Sequence, residues 1–543
     1  RGAEANHTLL FIDGIRANDP AAGNTPRFEL LNADIASRVE IVRGPQSALW
    51  GSEAIGGVIA VNGVAEAEPR QRLVAEAGSN GFRRTGAAGG VKSGTASLAG
   101  GFGWQRATGI DSFDGNGDRD GYRNLSARLR GTWSPAPALE LGLSAFTLNG
   151  RSEYDGVDLT TFVRADTLDS TRNRLAAGRL WASFGSPATG LSGVLGTSLL
   201  GSSNRNLLGS DELNRTRGRR WTADAQLQYR FATGTVAHTA IVALDHDRER
   251  FEARDIVFGG ASSQDRQRSH DAVTAELRSE LRPAVFDIVI RRDRFSRFKD
   301  ATTLRASALV GLGSGLSLAA SYGEGIAQPT FFDLYGFFPG TFVGNPSLKP
   351  ESSRGIEASL RIRHKRIEAA LTMFQQRLRD EIVDVFDSTT FQSTTVNRSA
   401  VSRRSGVEAE LGWSLAEQLR LSANYSYLRA SEPDPSGALQ LREARRPKHS
   451  GSVALDGASG RLSYGASVAY TGARGDTNFD VFPAQAVQLG GYWLAGARLG
   501  YQMRPGVELF ARGSNLLDAS YQDAFGYRTE GRALLAGVRL SGD

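Results

Sequence analysis

The stretch RVEIVRGPQSALWGSEAIGGVIAVNG, Arg38 to Gly63, decides the fold because it departs from the rhythm of the residues that follow it. It begins as a β-branched strand, breaks at a Gly-Pro step, and then repeats glycines and small residues around Trp50. Locally, this pattern indicates a strand end followed by a type I or type II turn. Its glycines permit positive φ and close approach of neighbouring backbone, and they are Gly44, Gly51, Gly56 and Gly57.

The composition of the chain limits both its class and its chemistry. The chain has 543 residues, no cysteine, 64 glycines and a mean hydropathy of -0.29. No run approaches the ~20 consecutive apolar residues that a membrane-spanning helix needs. Because cysteine is absent, the sequence excludes disulfides, thiolate metal sites and cysteine nucleophiles. Any chemistry therefore rests on carboxylates, hydroxyls or histidines, and no redox or organic cofactor is expected.

The charge balance raises the question of a nucleic-acid partner. The net charge is +6 and the isoelectric point is near 9.6, with arginine supplying most of the positive charge. The basic residues are scattered singly at strand spacing, however, and no recognised nucleic-acid-binding motif is present. We therefore expect arginines that face solvent or a lumen, and no nucleic-acid partner.

Alternation of apolar and polar residues with a period of two dominates the chain from about residue 70 to its end. In GIEASLRIR, Ile356 and Leu360 share one face, whereas Glu357 lies on the other. GVEAELGW repeats the pattern with Val407 opposite Glu408, and RLSYGASVAY shows it again. One face of each predicted strand is thus apolar and the other polar or charged.

The extent of this alternation favours a membrane barrel over a soluble antiparallel sheet with one wet face. The pattern is not interrupted by a helical segment, and its length divides into about 22 strands of about 21 residues, of which ~10 would cross a bilayer. Short turns such as RHKR (363–366) alternate with long polar connections near residues 109–124, 150–173 and 430–448. Outer-membrane barrels have short periplasmic turns and long extracellular loops. The sequence predicts an all-β membrane protein, a large antiparallel transmembrane β-barrel.

Several separated motifs resemble TonB-dependent outer-membrane transporters. LLFIDGIRANDP (9–20) and the opening stretch are similar to the plug domain of that family, which packs inside the barrel. YGEGIAQPTFFDLYG (322–336), GNPSLKPESSRGIEASL (344–360) and the segment 513–540 resemble its late barrel strands. The resemblance implies that residues 1–65 are the C-terminal part of a plug and residues 66–543 the barrel.

The same resemblance implies location, partners and mechanism. We expect a monomer in the outer membrane of a Gram-negative bacterium, surrounded by lipid bilayer and energised by the TonB complex of the inner membrane. The export signal and the TonB-docking segment are expected upstream of Arg1. Bound substrate and an upstream pull by TonB would make the plug rearrange.

Within the family, HTLLFIDGIR, GSEAIGGV and FGYRTEGR look most like the cobalamin transporters. Uptake of cobalamin or a related corrinoid is therefore the main hypothesis, and a ferric-siderophore or haem receptor is the alternative. An outer-membrane hydrolase is disfavoured because no histidine accompanies a G-x-S-x-G nucleophile motif. A passive porin is disfavoured by the plug-like stretch, so we expect a transporter with no catalytic residues.

The resemblance places substrate contacts on the plug apices and on one barrel loop. Large amphipathic rings there suit a bulky ligand bound mostly by apolar contact with a few polar anchors. For Trp50 the alternative is that it fills the interface between plug and barrel. The predicted substrate-binding residues are Asn18, Asp19, Asn24, Thr25, Arg27, Phe28, Ser47, Trp50, Ser52, Phe331 and Tyr335.

A contact between plug and barrel is also expected. Arg43 lies where the family has a plug arginine that pairs with barrel glutamates, and the alternation points Glu357 and Glu408 toward the lumen. A buried ion pair is weak evidence for stability, since desolvation can cancel its attraction. We therefore interpret this predicted lock as a device for registration or switching.

A calcium site is suggested by GIDSFDGNGDRDGYRN (109–124), in which Asn116 and the following aspartates imitate the start of an EF-hand loop. The EF-hand fails, because the twelfth position counted from Asn116 is Ala127, and from Asp114 it is Leu125. The resemblance to cobalamin transporters implies that two neighbouring extracellular loops share the cation. The predicted ligands of Ca²⁺ are Asp111, Asp118, Asp120, Asp155 and Asp169, and the alternative is a solvated acidic loop.

Overall fold

A closed antiparallel barrel surrounds a small mixed sheet in the computed structural model of the chain. The structure describes residues 1–543 except 63–70, 114–116, 159, 162, 187–189, 258, 339–340, 435–436, 438 and 543. Among the described residues, no helix is long and apolar enough to cross a membrane.

The N-terminal segment folds as a plug around a four-stranded sheet in the order β2-β1-β6-β5, in which β1 and β6 are parallel. The opening stretch supplies β5 and β6, which are joined by the one-turn helix α1. Glycine is required at two positions here: Gly51 has φ +86° after α1, and a Cβ on Gly57 would lie 2.2 Å from the carbonyl oxygen of Val42. The plug elements are β1 (Thr8–Ile12), β2 (Ile15–Arg16), β3 (Asn18–Asp19), β4 (Thr25–Pro26), β5 (Arg38–Arg43), α1 (Ser47–Trp50) and β6 (Gly57–Asn62), with 3₁₀ turns at Ala5–His7, Phe28–Leu30 and Ala33–Ile35.

The barrel is closed by 22 antiparallel strands, and its last strand pairs with its first. The remaining strands, in chain order, are β7 (Gln71–Gly78), β8 (Arg83–Ser93), β9 (Ala96–Ile110), β10 (Asp120–Ala136), β11 (Leu139–Tyr154), β12 (Asp169–Gly185), β13 (Leu191–Leu208), β14 (Asp211–Thr233), β15 (Val236–Asp255), β16 (Gln264–Leu281), β17 (Ala284–Phe295), β18 (Ala301–Gly313), β19 (Leu316–Ala327), β20 (Phe337–Phe338), β21 (Phe342–Val343), β22 (Glu351–His364), β23 (Ile367–Arg379), β24 (Ile382–Asp387), β25 (Gln392–Asn397), β26 (Ser402–Ala416), β27 (Leu419–Pro433), β28 (Gln440–Arg442), β29 (His449–Ser459), β30 (Leu462–Thr471), β31 (Arg474–Asn478), β32 (Gln485–Leu489), β33 (Tyr492–Arg504), β34 (Val507–Ser514) and β35 (Ala533–Gly542).

Some of these strands belong to loops rather than to the barrel wall. β20, β21, β24 and β25 form a separate sheet, and β31 and β32 form a hairpin. The short strand β28 pairs only with the end of β27. The helix α2 (Phe331–Tyr335) lies in the connection after β19, and a 3₁₀ turn, Ser79–Gly81, joins β7 to β8.

The predicted fold class is confirmed, and the alternation explains it. On β22, Ile356 and Leu360 are exposed on the outer surface, whereas Ser353 and Ser359 are buried on the inner one. Exposed leucines and isoleucines on the outside suit a lipid environment, and the polar inner face meets the plug. The barrel is thus inverted relative to a soluble protein, since its wall is apolar outside.

The turns confirm the predicted alternation of short and long connections, with shorter loops than the sequence suggested. RHKR is a tight turn, because β22 ends at His364 and β23 begins at Ile367. The long connections span residues 111–119, 155–168 and 434–448, because strand pairing continues past the expected limits to Tyr154 opposite Asp169. Longer loops share one end of the barrel, which we take as the extracellular end. The predicted boundary between plug and barrel at residue 65 lies outside the described residues.

The main apolar cluster joins the plug to the barrel wall. Plug residues Leu10, Ile12 and Leu30 pack against Leu148 and Leu175 of the barrel, and all of them are almost fully buried. Burying a leucine or isoleucine side chain contributes about 1.5–3 kcal/mol. The plug is therefore held by a hydrophobic contact as well as by the polar contacts described below.

Candidate functional site

The apical segment of the plug, residues 18–28, is anchored to the barrel by its first residues. Asn18 is fully buried; its Oδ1 accepts a hydrogen bond from the backbone N–H of Leu10 at 2.8 Å. The Asp19 carboxylate accepts hydrogen bonds from the Ser202 hydroxyl and from Asn204 Nδ2, the latter at 2.9 Å. These two predicted substrate residues are turned toward plug and barrel, so their role in substrate contact stays a prediction that their burial does not favour.

The later residues of the same segment are more accessible. Asn24 is still buried, and its Oδ1 accepts a hydrogen bond from Arg220 of β14 at 2.9 Å. Thr25 and Arg27 are half-buried, whereas Phe28 is 45% exposed. Of the predicted apical contacts, Thr25, Arg27 and Phe28 are therefore the ones that a ligand could reach.

The turn around α1 divides in the same way. Ser47 is fully buried, and its Oγ accepts a hydrogen bond from the backbone N–H of Ile326 at 3.1 Å. Ser52 is buried and donates to Glu53 Oε1 at 2.9 Å. Trp50 is 41% exposed, with its ring 5.2 Å from that of Phe11 within the plug. Trp50 thus remains available for contact, although its substrate role is not tested by the structure.

The loop between β19 and β22 brings aromatic rings next to arginines. A capping box between Thr330 and Asp333 starts α2. The Phe331 ring is buried and stacks on Phe251 of β15 with centroids 5.4 Å apart. Phe331 therefore holds the loop on the barrel, whereas its neighbour in the helix, Tyr335, is only half-buried.

Tyr335 lies between two exposed guanidinium groups. Arg266 of β16 lies 4.7 Å from the centre of its ring and Arg297 of the next loop 5.2 Å from it. The Tyr335 hydroxyl oxygen is buried without a hydrogen-bond partner among the described residues. Cation–π contact orders the arginines but leaves their N–H donors free to bind an anion. The sequence missed both arginines, although Arg266 falls on the inward register of β16.

The predicted contact between plug and barrel contains Arg43, Glu357 and Glu408, but the pairing of the charges differs from the expected one. Arg43 Nη1 lies 3.2 Å from Glu408 Oε2 and 3.0 Å from Glu410 Oε1. Glu357 instead pairs with Arg1, whose Nη1 is 2.7 Å from Glu357 Oε2, and Arg1 also reaches Glu408 at 3.0 Å. Glu408 is thus shared by two plug arginines. Glu357 and Glu408 both face the lumen, as the alternation predicted.

A buried charge network, which the sequence did not reveal, connects the apical segment to the α2 loop. Glu249 of β15 accepts hydrogen bonds from Arg220 and Arg268, both at 2.7 Å. Arg220 also donates to the carbonyl oxygen of Asn18 at 2.9 Å, and Arg268 to that of Pro329 at 2.7 Å. The sequence feature that could have indicated this network is the series of charged residues at alternate, inward-facing positions of β15. These contacts make the plug apex and the α2 loop parts of one surface.

Two acidic loops meet near the extracellular end. Asp118 from the loop before β10 and Asp155 from the loop after β11 come together with Asp166, which the sequence missed; one carboxylate oxygen from each lies within 4.8 Å of the others. Asp166 stands three residues before Asp169, whose role as a ligand stays a prediction.

The remaining predicted ligands have local partners. Asp111 accepts hydrogen bonds from the backbone N–H groups of Phe113 at 2.9 Å and Gly117 at 2.6 Å. Asp169 accepts one from the Thr167 hydroxyl at 2.7 Å. Asp120 accepts from the backbone N–H of Ser112 at 2.9 Å and lies beside Asp155. Asp114 and Asn116, which suggested the EF-hand, lie outside the described residues.

The electrostatics of the acidic cluster suit a cation. Burial, and the nearby charge of Asp120, raise the pKa of Asp155 to about 6 against the opposing hydrogen bond from Thr167. Burial and Asp166 likewise raise the pKa of Asp118. Carboxylate oxygens are the ligands that Ca²⁺ prefers, and it takes six to eight of them. Asp118, Asp155 and Asp166 are the residues that would hold such an ion.

A closed barrel whose lumen contains a separately folded N-terminal plug defines a plugged outer-membrane transport protein. A family model described as "TonB dependent receptor-like, beta-barrel" matches residues 72–516, and one described as "TonB-dependent Receptor Plug Domain" matches residues 1–58. The chain belongs to the TonB-dependent receptor family, whose members transport substrates across the outer membrane of Gram-negative bacteria.

Solved structures with the same fold include receptors for iron chelates. The siderophore receptor PirA from Acinetobacter baumannii is 16% identical with a TM-score of 0.82, and the alignment covers 100% of this chain and 91% of that one. A mutant of the ferric enterobactin receptor PfeA from Pseudomonas aeruginosa is 16% identical with a TM-score of 0.81, covering 99% and 90%. The copper transporter OprC is 14% identical with a TM-score of 0.78, covering 99% and 90%. The family is confirmed, whereas the specific resemblance to cobalamin transporters is not supported by these structures.

Proposed function

We propose that this receptor takes up an anionic metal chelate of the ferric-siderophore type. The observation that carries the proposal is the position of Tyr335 between the exposed guanidinium groups of Arg266 and Arg297, on a loop tied to the plug apex through Glu249. Iron chelates with catecholate or hydroxamate groups combine anionic oxygens with aromatic or apolar surface, and charged donors beside a ring match both. The structural neighbours include siderophore receptors, which supports the same class.

Transport would use the contacts that join the apex to the lock. Substrate would bind Tyr335, Arg266, Arg297 and the accessible apical residues Thr25, Arg27 and Phe28. The TonB complex would then pull on the plug from the periplasm and separate Arg43 from Glu408. The geometry suits a switch because Glu408 is shared by two arginines, so one rearrangement weakens both pairs.

Binding to the purified, detergent-solubilised protein tests the substrate class. We would titrate a ferric catecholate, a ferric hydroxamate and cyanocobalamin, and follow tryptophan fluorescence. The double variant Arg266→Gln/Arg297→Gln should bind the ferric chelate at least about tenfold more weakly, which corresponds to about 1.4 kcal/mol. Arg363→Gln, which changes an exposed arginine beside a periplasmic turn, is the matched control.

The titration also decides between the two substrate classes. Saturable binding of cyanocobalamin without binding of either ferric chelate would reject the siderophore proposal and favour a corrinoid. Such a result would be consistent with the motifs that resemble cobalamin transporters. Equal affinity of the double variant and the wild type would show that Arg266 and Arg297 are not the anion-binding groups.

A second proposal is that Ca²⁺ orders the two acidic loops for substrate binding. It rests on the approach of Asp118 from one loop to Asp155 and Asp166 from the other, because these carboxylates would repel one another without a cation. Asp155→Asn should abolish the calcium-dependent increase in substrate affinity, whereas Asp158→Asn, which changes a half-buried aspartate of the same loop, should retain it. Calorimetry with calcium and with a chelator measures both effects. An unchanged response to calcium in Asp155→Asn would contradict the proposal.

A further inference from the structure

A row of arginines runs across neighbouring strands of the barrel wall near its extracellular end. Each arginine is the direct cross-strand partner of the next. The strand register pairs Arg106 with Arg123, Arg123 with Arg151, Arg151 with Arg172, Arg172 with Arg205, and Arg205 with Arg215. Arg83 and Arg254 extend the row at its two ends. We refer to these residues, from Arg83 to Arg254 on β8 to β15, as the arginine row.

The row faces outward from the barrel, not into the lumen. The residues that follow Arg123 and Arg172 in their strands, Asn124 and Asn173, are buried on the inner side. Asn124 donates to the carbonyl oxygen of Glu29 in the plug. Because successive side chains of a strand point to opposite faces, the arginines of the row lie on the outer surface.

Like charges directly opposite one another on neighbouring strands destabilise a sheet. Two glutamates neutralise part of the row: Glu212 lies 2.8 Å from Arg215 and 4.0 Å from Arg205, and Glu153 lies 3.2 Å from Arg151. In the described part of the chain, however, the side chains of Arg106 and Arg123 form no hydrogen bond or ion pair. The protein thus presents a continuous cationic surface whose counter-charge comes from outside the chain.

The surface is also shaped as a binding site. A groove of about 650 Å³ on this outer face is lined by six arginines, Arg123, Arg151, Arg172, Arg174, Arg205 and Arg217. Arg174 and Arg217 are the next outward-facing residues after Arg172 and Arg215, on the side nearer the membrane. The groove is therefore lined by two neighbouring rows of guanidinium groups. Planar guanidinium forks bind phosphate oxygens with paired hydrogen bonds.

An apolar surface continues from the groove toward the membrane on the same strands. Small outward residues come first, such as Ala145, Ala176 and Gly201, and a Cβ added to Gly201 would contact nothing within 4 Å. Exposed leucines follow, with Leu180 62% and Leu199 59% exposed. A ligand that fills both regions carries anionic groups at one end and acyl chains at the other.

We propose that the arginine row binds the phosphate groups of a phosphorylated glycolipid of the outer leaflet. The guanidinium groups neutralise the phosphates, and the acyl chains lie on the small residues and leucines below them. A free anion would satisfy the arginines but would not use the apolar surface, so the lipid is the ligand that accounts for both. The inference does not depend on which substrate the receptor transports.

Retention of a defined lipid during purification tests the proposal. The wild type, and the variant Arg123→Gln/Arg172→Gln/Arg205→Gln, are incubated in detergent with diphosphorylated lipid A, and bound lipid is counted by native mass spectrometry. We expect the variant to retain at least about tenfold less lipid. The matched control, Arg363→Gln/Arg461→Gln/Arg504→Gln, changes exposed arginines at the periplasmic end and should retain as much lipid as the wild type.

Further measurements separate a lipid site from a general anion site. Dephosphorylated lipid A should bind weakly to the wild type, and inorganic phosphate at equal phosphate concentration should not displace the lipid. Equal retention by wild type and variant would overturn the proposal, as would displacement of the lipid by inorganic phosphate. Heat-dependent migration on a gel shows whether the triple variant folds. If it does not fold, lipid retention by Arg172→Gln alone, and binding of dephosphorylated lipid A to the wild type, test the proposal instead.

Discussion

Glu249 connects plug, barrel and loop through the two arginines that it binds. Its carboxylate neutralises Arg220 and Arg268, and all three side chains are almost completely buried. A buried ion pair need not add net stability, but removing one partner leaves an uncompensated charge. The main role of Glu249 is therefore to compensate the charge of two buried guanidinium groups.

Replacing Glu249 by glutamine should lower the free energy of unfolding by about 3 kcal/mol, because Arg220 and Arg268 then share no buried anion. Urea unfolding in detergent measures the change. Asp265→Asn, which removes an exposed partner of Arg250 on the next strand, is the control and should leave the transition unchanged. A Glu249→Gln variant as stable as the wild type would show that water or another acid compensates the arginines.

His7 forms a second contact between single residues of plug and barrel. Its Nε2 lies 2.6 Å from Glu351 Oε2 at the start of β22, and both side chains are buried. Burial disfavours the imidazolium and Arg404 opposes it, but the charge and hydrogen bond of Glu351, assisted by Glu4, raise the pKa of His7 above its ordinary value. The contact with Glu351 therefore favours the charged form of His7.

This contact predicts a pH-dependent stability. Because the folded-state pKa is raised, its contribution is complete below the ordinary histidine pKa of about 6.5 and is lost as the pH rises through the folded-state value. The difference in melting temperature between the wild type and His7→Gln should therefore shrink between pH 5.5 and pH 9. His364→Gln, in an exposed periplasmic turn, should show no such trend. A constant difference for His7→Gln would contradict the charged pair.

At the scale of elements, the loops before β10 and after β11 meet although they are distant from each other in sequence. Antiparallel pairing of β10 with β11 places the two loops on the same end of the barrel, and the carboxylates of Asp118 and Asp155 then come close. Burial, together with the nearby charge of Asp120, raises the pKa of Asp155. A proton or a divalent cation can each neutralise the Asp155 carboxylate, so the two compete for it.

Calcium affinity should consequently fall as the pH is lowered through about 6, the pKa of Asp155. With a raised folded-state pKa, the loops without calcium are most stable below the ordinary aspartate value of about 3.9 and lose that stability as the pH rises through the folded value. At pH 5 the affinity for calcium should be about tenfold lower than at pH 7.5. Calorimetric titration at both values measures this, and a pH-independent affinity would exclude Asp155 as a ligand.

For the whole molecule, the plug is held by two different kinds of contact. Apolar side chains such as Leu10 and Leu148 pack around its middle, and Glu408 holds Arg43 and Arg1. Apolar burial gives retention without specific geometry, whereas an ion pair has a defined partner and register. A transporter needs both, because its plug must stay in place and yet be releasable.

Glu408→Gln should loosen the plug without opening the barrel. Losing the shared carboxylate costs about 1 kcal/mol of local stability, so backbone amides of β5 should exchange hydrogen roughly fivefold faster. Hydrogen exchange measured by mass spectrometry reports on β5 and on the barrel strands separately. The control is Glu410→Gln, which removes the more exposed partner of Arg43. Equal exchange of β5 in wild type and Glu408→Gln would show that the pair does not hold the plug.

Local patterns predicted the architecture because they act through the nearest neighbours of each residue. A period of two, as at Ile356 and Glu357, is enough to assign a strand and its lipid-facing side. The alternation also put Glu408 in the lumen, whereas the plug was indicated by the resemblance of the N-terminal motifs to the plug domain of the family. The resemblance proposed Phe331 and Tyr335 as substrate contacts, but it could not tell that Phe331 is buried on Phe251 whereas Tyr335 is only half-buried.

The sequence by itself determined the barrel and the presence of two acid-rich loops, since strand periodicity and turn composition are local properties, and its N-terminal motifs indicated the plug by resemblance. Only the tertiary structure decided which acids meet, and it brings Asp166 together with Asp118 and Asp155. It also decided that Arg1 rather than Arg43 pairs with Glu357, and that Arg266 and Arg297 flank Tyr335. Such contacts depend on strand register and on loop closure around the barrel, which join residues far apart in the chain.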